Sequence, residues 1–394
     1  MRHRLVATVA SLLLVCGAAG SAVADTPSAR PAAAAAASVQ VPPGVTAGVA
    51  VFDRQAGAFT EELNTSTKFR SASIVKLLMA LDYLWNRGPD YVVPPGDRAW
   101  LEPMLRSSKD GPANTYWSDN GGPAIVTRMA RADRLNLQDT TPPPAGYEGF
   151  WGYSAISARD TVKIYRYLLD TAPAPVRDFI MGNLRQSTRC ASDSFDQHFG
   201  IAGAFQKPWA VKQGWSGGTA FEAGTCTPAG GTPTATASAT SRTAAPAALP
   251  AAAADVNLSL PALHSTGTVG AGDRNIVAVY TLHQPGTSYG KAYTDIGRLT
   301  RSLNVPGAAR PAGWWYGTWS EKVNVRRNPN TEGDPMTKLP AGVEVLVGCQ
   351  KRGQQVSVPP YTNDWWAYLP QYGGWITNIY ISSPDNKMPD VKDC

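Results

Sequence analysis

The 394-residue sequence predicts an α+β unit followed by a small all-β unit, and three observations carry that reading. Strand signals at Ala47 to Phe52 and Ala58 to Leu63 run into a helical stretch, Leu77 to Leu84. Far downstream, Asn275 to Thr281 has the unbroken apolar pattern of a buried strand, and Tyr289 to Leu303 follows with helical character. Past Pro306 to Gly313, where Gly, Ala and Pro dominate, the composition changes: six of the twelve tryptophans fall in the last 81 residues, with no Phe and eight residues of each charge sign.

At the N-terminus, Arg2, His3 and Arg4 precede an apolar run from Leu5 to Ala19, and Ala22-Val23-Ala24 then precede Asp25. Charge, apolar core and small-residue exit are the marks of a secretory signal, so residues 1–24 are expected to be removed and the protein to be secreted, extracellular or associated with a cell wall. The core is shorter than the roughly 20 residues of a spanning helix, and no second stretch could span a membrane. Val15 stands where a small residue is wanted before a lipidated cysteine, so Cys16 is not the expected attachment point. The formal charge of +6 falls to +4 without Arg2 and Arg4, too small a surplus to argue for nucleic acid.

Removal of Cys16 leaves Cys190, Cys226, Cys349 and Cys394, an even number suited to two disulfides in an exported chain. Three connectivities are possible; Cys190 with Cys226 and Cys349 with Cys394 are favoured because each pair falls within one expected unit. No CxxC occurs and there are only four histidines, so neither a metal nor any other cofactor is implied.

Residues 25–44 begin as an Ala/Pro-rich linker, with folding expected from about Val45. Residues 227–254 contain 24 Ala, Thr, Pro or Ser out of 28, with no aromatic side chain to offset ordering entropy. The strand and helix that follow are too few for a separate unit, so this stretch reads as a disordered insert within residues 45–304. A linker at 305–317 and a second unit with its tail at 318–394 complete the expected organisation.

The chemistry concentrates near the first helix. In Phe69-Arg70-Ser71-Ala72-Ser73-Ile74-Val75-Lys76, Ser73 and Lys76 are three residues apart and share a helical face at the first turn, where free amides favour developing negative charge. A proton-accepting lysine one turn from a serine activates a hydroxyl without histidine. Val211-Lys212-Gln213-Gly214-Trp215 ends a plausible strand, so that a cation and a bare backbone edge could meet a substrate carboxylate. Between these, Ser118-Asp119-Asn120 spells S-D-N literally, but Ser108-Lys109-Asp110, with a helical run before it and Ala113-Asn114 after it, has the more fitting context.

These motifs resemble those of the serine β-lactamase and penicillin-binding protein superfamily, particularly its class A β-lactamase-like branch with S-x-x-K, S-D-N and K-T-G. The resemblance covers about residues 45–304 and implies an α+β fold in which an antiparallel sheet is flanked by helices. The 104 residues from Ser108 to Lys212 approach the separation of about a hundred found in that family, whereas Ser118 leaves 94. Ser157-Ala-Arg-Asp160, with Tyr165, Leu168 and Leu169, and the strands Ala262 to Val269 and Asn275 to Thr281 resemble later elements. By this resemblance Ser73 is the acylated nucleophile, Lys76 a base, Ser108 a proton relay and Lys212 the holder of a carboxylate. The amides of Ser73 and Trp215 would form the oxyanion hole, and Asp110, Gln213, Gly214 and Trp215 would line the substrate site. The departures are Asp110 for the usual carboxamide, Gln213 for the usual hydroxyl, and no matching deacylating glutamate; Glu148 is the sole acidic residue between Asp139 and Asp160.

A rival motif, Gly214-Trp215-Ser216-Gly217-Gly218, fits the G-x-S-x-G elbow with His264 or His283 downstream, and requires a strand, a tight turn and a helix. In the last region, Lys322 to Asn330, Leu339 to Val347, Asp364 to Tyr368 and Gly374 to Tyr380 give short alternating strands. V-N-V-R, the proline-glycine turn and the late Gly-Trp-Ile resemble the bacterial SH3-like (SH3b) family over about residues 318–382, which implies cell-wall binding. Trp365 and Trp366 cannot both face inward on one strand. The combined expectation is an exported serine hydrolase acting through a Ser73 acyl-enzyme on β-lactams or on D-Ala-D-Ala-type peptidoglycan stem peptides, with wall targeting by the SH3b unit. The alternative is a non-catalytic wall- or β-lactam-binding protein.

Overall fold

Two runs without polar alternation, TAGVAVFD and NIVAVYTL, form neighbouring strands β1 (Thr46–Asp53) and β7 (Asn275–Leu282) because the sheet they build is covered on both faces. The computed structural model describes residues 39–217, 226 and 256–394, so the expected signal, most of the first linker and the insert 227–254 lie outside the described residues. With β2 (Ala58–Leu63), β5 (Trp209–Ser216) and β6 (Ala262–Val269), the two central strands make a five-stranded sheet in the order β2-β1-β7-β6-β5, antiparallel throughout. β5 pairs with β6 directly, so the low-complexity stretch interrupts a single sheet.

Alternation then sorts the side chains by face. Ala50, Phe52, Ile276, Ala278 and Tyr280 enter one core with α1 (Lys76–Trp85), α2 (Pro95–Arg106), α3 (Asp110–Asp119), α4 (Pro123–Ala130), α5 (Ala158–Arg166) and α6 (Ala174–Arg185). Val49, Val51, Val277 and Val279 enter the other, against α7 (Ile201–Ala204) and α8 (Tyr289–Ser302). Ala292, Ile296, Leu299 and Leu303 form the inward stripe of α8, whose first turn is capped by the Ser288 hydroxyl. A short pair, β3 (Phe69–Arg70) with β4 (Ala155–Ile156), ties the entrance of α1 to the chain before α5. The fold is α+β, an antiparallel sheet flanked by helices.

The C-terminal region is all-β. β8 (Trp314–Gly317) pairs with β11 (Glu344–Val347), β9 (Val323–Val325) with β10 (Thr337–Leu339), and β12 (Cys349–Val358), β13 (Tyr361–Leu369) and β14 (Gly374–Thr377) form a three-stranded sheet. Trp366 is fully buried, while Trp365 on the opposite side lies between the Arg352 and Lys387 cations. Cys349 and Cys394 are bonded, and the Gln350 amide donates to the carbonyls of Met388 and Val391, so the tail closes over the sheet.

Residues 305–317 are not an open linker. Pro306 and Ala309 accept hydrogen bonds from Asn275 and Gln206, and Trp314–Gly317 is already strand. The all-β region packs on α8: Glu344 bridges Arg298 and Arg301, and Thr294 exchanges hydrogen bonds with Gly342 and Glu344. A Cβ at Gly290 would stand 2.0 Å from the Ala341 carbonyl oxygen, which is why this helical position has no side chain.

Candidate active site

Ser73 sits in a single 3-10 turn, Ala72–Val75, that feeds α1, and Ala72 before it has a left-handed φ of 44°. A non-glycine residue there stores about 1 to 2 kcal/mol of strain, of the kind that concentrates where a side chain must be aimed. Strand β5 passes close behind: a Cβ at Gly214 would lie 3.1 Å from the Ser71 carbonyl oxygen and 3.3 Å from the Ala72 Cβ. Gly214 therefore lets the strand edge approach the Ser73 turn.

One helical turn on, the Lys76 ammonium is entirely enclosed. It lies 3.0 Å from Ser73 Oγ, 2.5 Å from the Ser108 carbonyl and 2.6 Å from Asp110 Oδ1. Ser108 is itself left-handed, with φ 59°, in the break between α2 and α3, and this turns its hydroxyl toward β5. There Lys212 Nζ donates to Ser108 Oγ at 2.7 Å and to the Gln213 carbonyl at 2.9 Å. The structure thus brings Ser73, Lys76, Ser108, Asp110 and Lys212 into one hydrogen-bonded chain from three separate elements.

Its electrostatics differ from those of surface lysines. Burial lowers the Lys76 pKa from its ordinary value, against the opposing pull of Asp110. For Lys212 burial acts again, the Lys76 charge adds to it, and the result is well below the ordinary value. Asp193 stands within electrostatic reach of both lysines, its carboxyl pKa raised by burial.

Not every expected residue faces the cleft. Gln213 neighbours Lys212 on a strand and so points the other way, donating to the Gln197 and Phe199 carbonyls at 2.9 and 2.7 Å. Its side chain is not placed for substrate contact. Trp215 stacks on Phe195 at 4.7 Å and donates to Asp193 Oδ2, leaving its backbone as the part near the cleft edge. Glu148 is solvent-exposed, its carboxylate accepting from the Gly146 amide in its own turn; that contact lowers its pKa and leaves it without a place beside Ser73. Ser118 is exposed at the far end of α3.

The elbow motif also fails on geometry. β5 continues as strand through Ser216, paired with Ala262, without a turn at the serine. His264 donates from Nε2 to the Arg70 carbonyl and accepts the Thr281 amide at Nδ1, and His283 bonds Thr281. Burial lowers the His264 pKa to about 3 and holds the ring neutral.

Two side chains enter the site without a motif to announce them. The Trp151 indole lies 4.7 Å from Lys76 Nζ and donates to Asn114 Oδ1 at 2.8 Å, so the loop before α5 contributes an aromatic ring to the lysine. Asp193 is held in a turn that the Cys190–Cys226 disulfide anchors. For Asp193, the nearby cysteine was the one available sequence signal. Among the described residues, no cluster of three or more His, Cys, Asp or Glu could hold a metal ion.

No family model matches the chain. Over 177 residues, 44% of this chain, it is 40% identical to proteins described as "Putative lipoprotein LppW" from Mycobacterium tuberculosis and Mycobacterium bovis. The chain spans about half the length of these curated relatives, 54%. Among solved structures it is similar to a class A β-lactamase from Mycobacterium abscessus, at 17% identity and a TM-score of 0.44, over 66% of this chain and 92% of that one. It is also similar to PBP-A in an acyl-enzyme complex with penicillin G, at 13% identity and a TM-score of 0.43, over 66% and 89% of the two chains.

Proposed function

We propose that the chain is an exported serine acyl-transfer enzyme whose nucleophile is Ser73. The observation that carries this reading is the buried relay itself: Lys76 Nζ at 3.0 Å from Ser73 Oγ, and Lys212 Nζ at 2.7 Å from Ser108 Oγ. Enclosure favours the neutral form of each lysine, and a neutral Lys76 accepts the Ser73 proton as Oγ attacks a carbonyl carbon. When the C–N bond breaks, the leaving nitrogen takes the Ser108 proton, and the proton that Lys76 took from Ser73 refills Ser108, whose hydroxyl Lys212 holds in place, so both lysines end neutral. The product is an ester on Ser73. An amide or lactam with a nearby carboxylate suits the lysine-lined cleft, so the substrate class is a D-Ala-D-Ala-type stem peptide or a β-lactam.

Hydrolysis of that ester is the slow step in this reading, since the loop before α5 offers the Trp151 indole where a water-activating carboxylate would serve. Two disulfides support an oxidising, extracytoplasmic location. Among the described residues no helix is long and apolar enough to cross a membrane. The all-β region, read as an SH3b-type wall-binding unit at 318–394, exposes Trp319 and Tyr361 side by side with Tyr380. A second reading, a binder without turnover, draws on the Lys76–Asp110 contact of 2.6 Å, which favours a charged Lys76.

Intact-mass spectrometry after penicillin treatment separates these readings. The wild-type protein is expected to gain one penicillin mass that persists for many minutes, and Ser73→Ala to gain none. Neither adduct nor penicillin consumption would sink the acyl-transfer reading for β-lactams. Rapid consumption without an adduct would overturn the slow deacylation.

A further inference from the structure

An open cavity of about 820 Å³ lies away from Ser73, between α1, α2, α3 and the last turn of α4. Its aromatic floor is built from three elements. Trp100 is stacked on Tyr116 at 5.7 Å and meets Tyr83 edge-on at 5.2 Å. These rings are fixed from behind: Asp97 accepts from Trp100 Nε1 and Tyr83 OH, and Asp82 accepts from Tyr116 OH at 2.8 Å. Arg87 and Arg128 compensate these two carboxylates, so the floor is rigid and its charges are already paired.

The rim is different. The side chains of Asn86, Thr115 and Asp119 make no hydrogen bond or ion pair with any described residue, although they line the same space. A rigid aromatic platform with solvent-exposed amide, hydroxyl and carboxylate groups around it matches a sugar ring. The polarised C–H face of a pyranose lies on an indole, and its hydroxyl and acetamido groups take donors and acceptors at the edge. A purely apolar ligand would leave the rim groups unpaired, and a cation would meet a Tyr83 ring already covered by the Arg87 guanidinium at 4.0 Å.

We propose that this cavity binds a glycan strand through an N-acetylated aminosugar unit. The sugar class follows from the cavity; its assignment to wall glycan rests on the acyl-transfer reading above. Tyr83 is seven residues beyond Lys76, about 10 Å along α1. An extended peptide of three or four residues covers about 10 to 14 Å, so one glycopeptide can place its sugar here and its peptide terminus at Ser73.

Titration calorimetry with tri-N-acetylchitotriose tests the site, with cellotriose, which lacks acetamido groups, as comparator. Saturable binding is expected, at least about 10-fold weaker for cellotriose and for Trp100→Ala. Thr115→Trp, which fills the cavity from an exposed rim position, should lose binding equally while Ser73 still acquires penicillin, so misfolding is separated from blockage. No saturable binding, unchanged binding in both variants, or equal binding of cellotriose would overturn the proposal. Absent sugar binding with Ser73 still acylated rejects the sugar site alone; retained, variant-sensitive sugar binding without acylation supports it and rejects the acyl-transfer reading alone.

Discussion

The segment 189–197 touches two buried polar clusters, and they hold charge in opposite ways. On one side, Asp193 accepts from the Trp215 indole of β5 and lies within electrostatic reach of the Ser73 cleft, where Lys76 and Lys212 are enclosed and their pKa values are lowered by burial. On the other, Arg189 pairs with Asp196 at 3.1 Å, donates to the Gln371 carbonyl and lies 4.2 Å over the Tyr372 ring, where the all-β region meets the sheet. Burial opposes the Arg189 charge too, but Asp196, Tyr372 and Tyr293 outweigh it and raise its pKa. A guanidinium keeps its proton under both influences, whereas an ammonium can lose one. The first cluster is chemistry with a movable proton; the second is a fixed seam.

Replacing Lys212 by Met should break the first cluster at the largest measurable cost, slowing penicillin acylation by about 100-fold or more, since proton relays contribute on that order. Global stability at pH 7 should hardly fall. The sign follows from the lowered pKa: between the folded value and 10.5 the unfolded chain binds more protons than the folded one, so wild-type stability rises with pH in that window. Urea melts from pH 7 to 10 should show this rise in wild type and a shallower one in Lys212→Met; equal slopes would mean that Lys212 is charged in the fold.

Asp196→Ala tests the seam, with the reverse signature. It strands a largely buried guanidinium and removes the acceptor of the His198 amide and of Tyr372. The expected loss is about 3 kcal/mol of unfolding free energy, read as a lower urea midpoint, with the acylation rate of the folded protein little changed. A large fall in rate at unchanged stability would show that the seam sets the cleft geometry.

How much of this could be read in advance depended on whether chain-local rules applied. Ser73 and Lys76 were legible because helical spacing puts them together, and Lys212 because its motif and its spacing from Ser108 resemble a known pattern. Both disulfides followed from parity and domain placement. Gln213 was legible as a neighbour of Lys212 but not as its opposite face, although strand alternation requires that once β5 is two-sided. Trp151 and Asp193 carried no signal of comparable strength, because their roles depend on where a long loop and a disulfide-tied turn land in space. Glu148 illustrates the converse: the right residue type in the right interval, spent on its own turn. The docking of the all-β region was hidden by a Gly/Ala/Pro stretch that reads as a linker, yet is held by Asn275 and Gln206.

The smallest expected effect concerns the strained turn, where the cleft again contrasts with the seam. Ala72 has φ 44°, a conformation that glycine adopts without penalty but that costs alanine about 1 kcal/mol. Ala72→Gly relieves this strain and loosens the unfolded chain in return, an entropic cost of about 0.5 to 1 kcal/mol, so the net change in stability should be within about 0.5 kcal/mol of zero. The catalytic consequence is separate. Ala72 presses against the β5 edge at Gly214, and a turn free to leave the left-handed region holds the Ser73 hydroxyl less firmly at Lys76. A fewfold slower acylation at unchanged stability would assign the strain to aiming the nucleophile; an unchanged rate would mean that packing of Ile74 and Val75 in the core already fixes the turn.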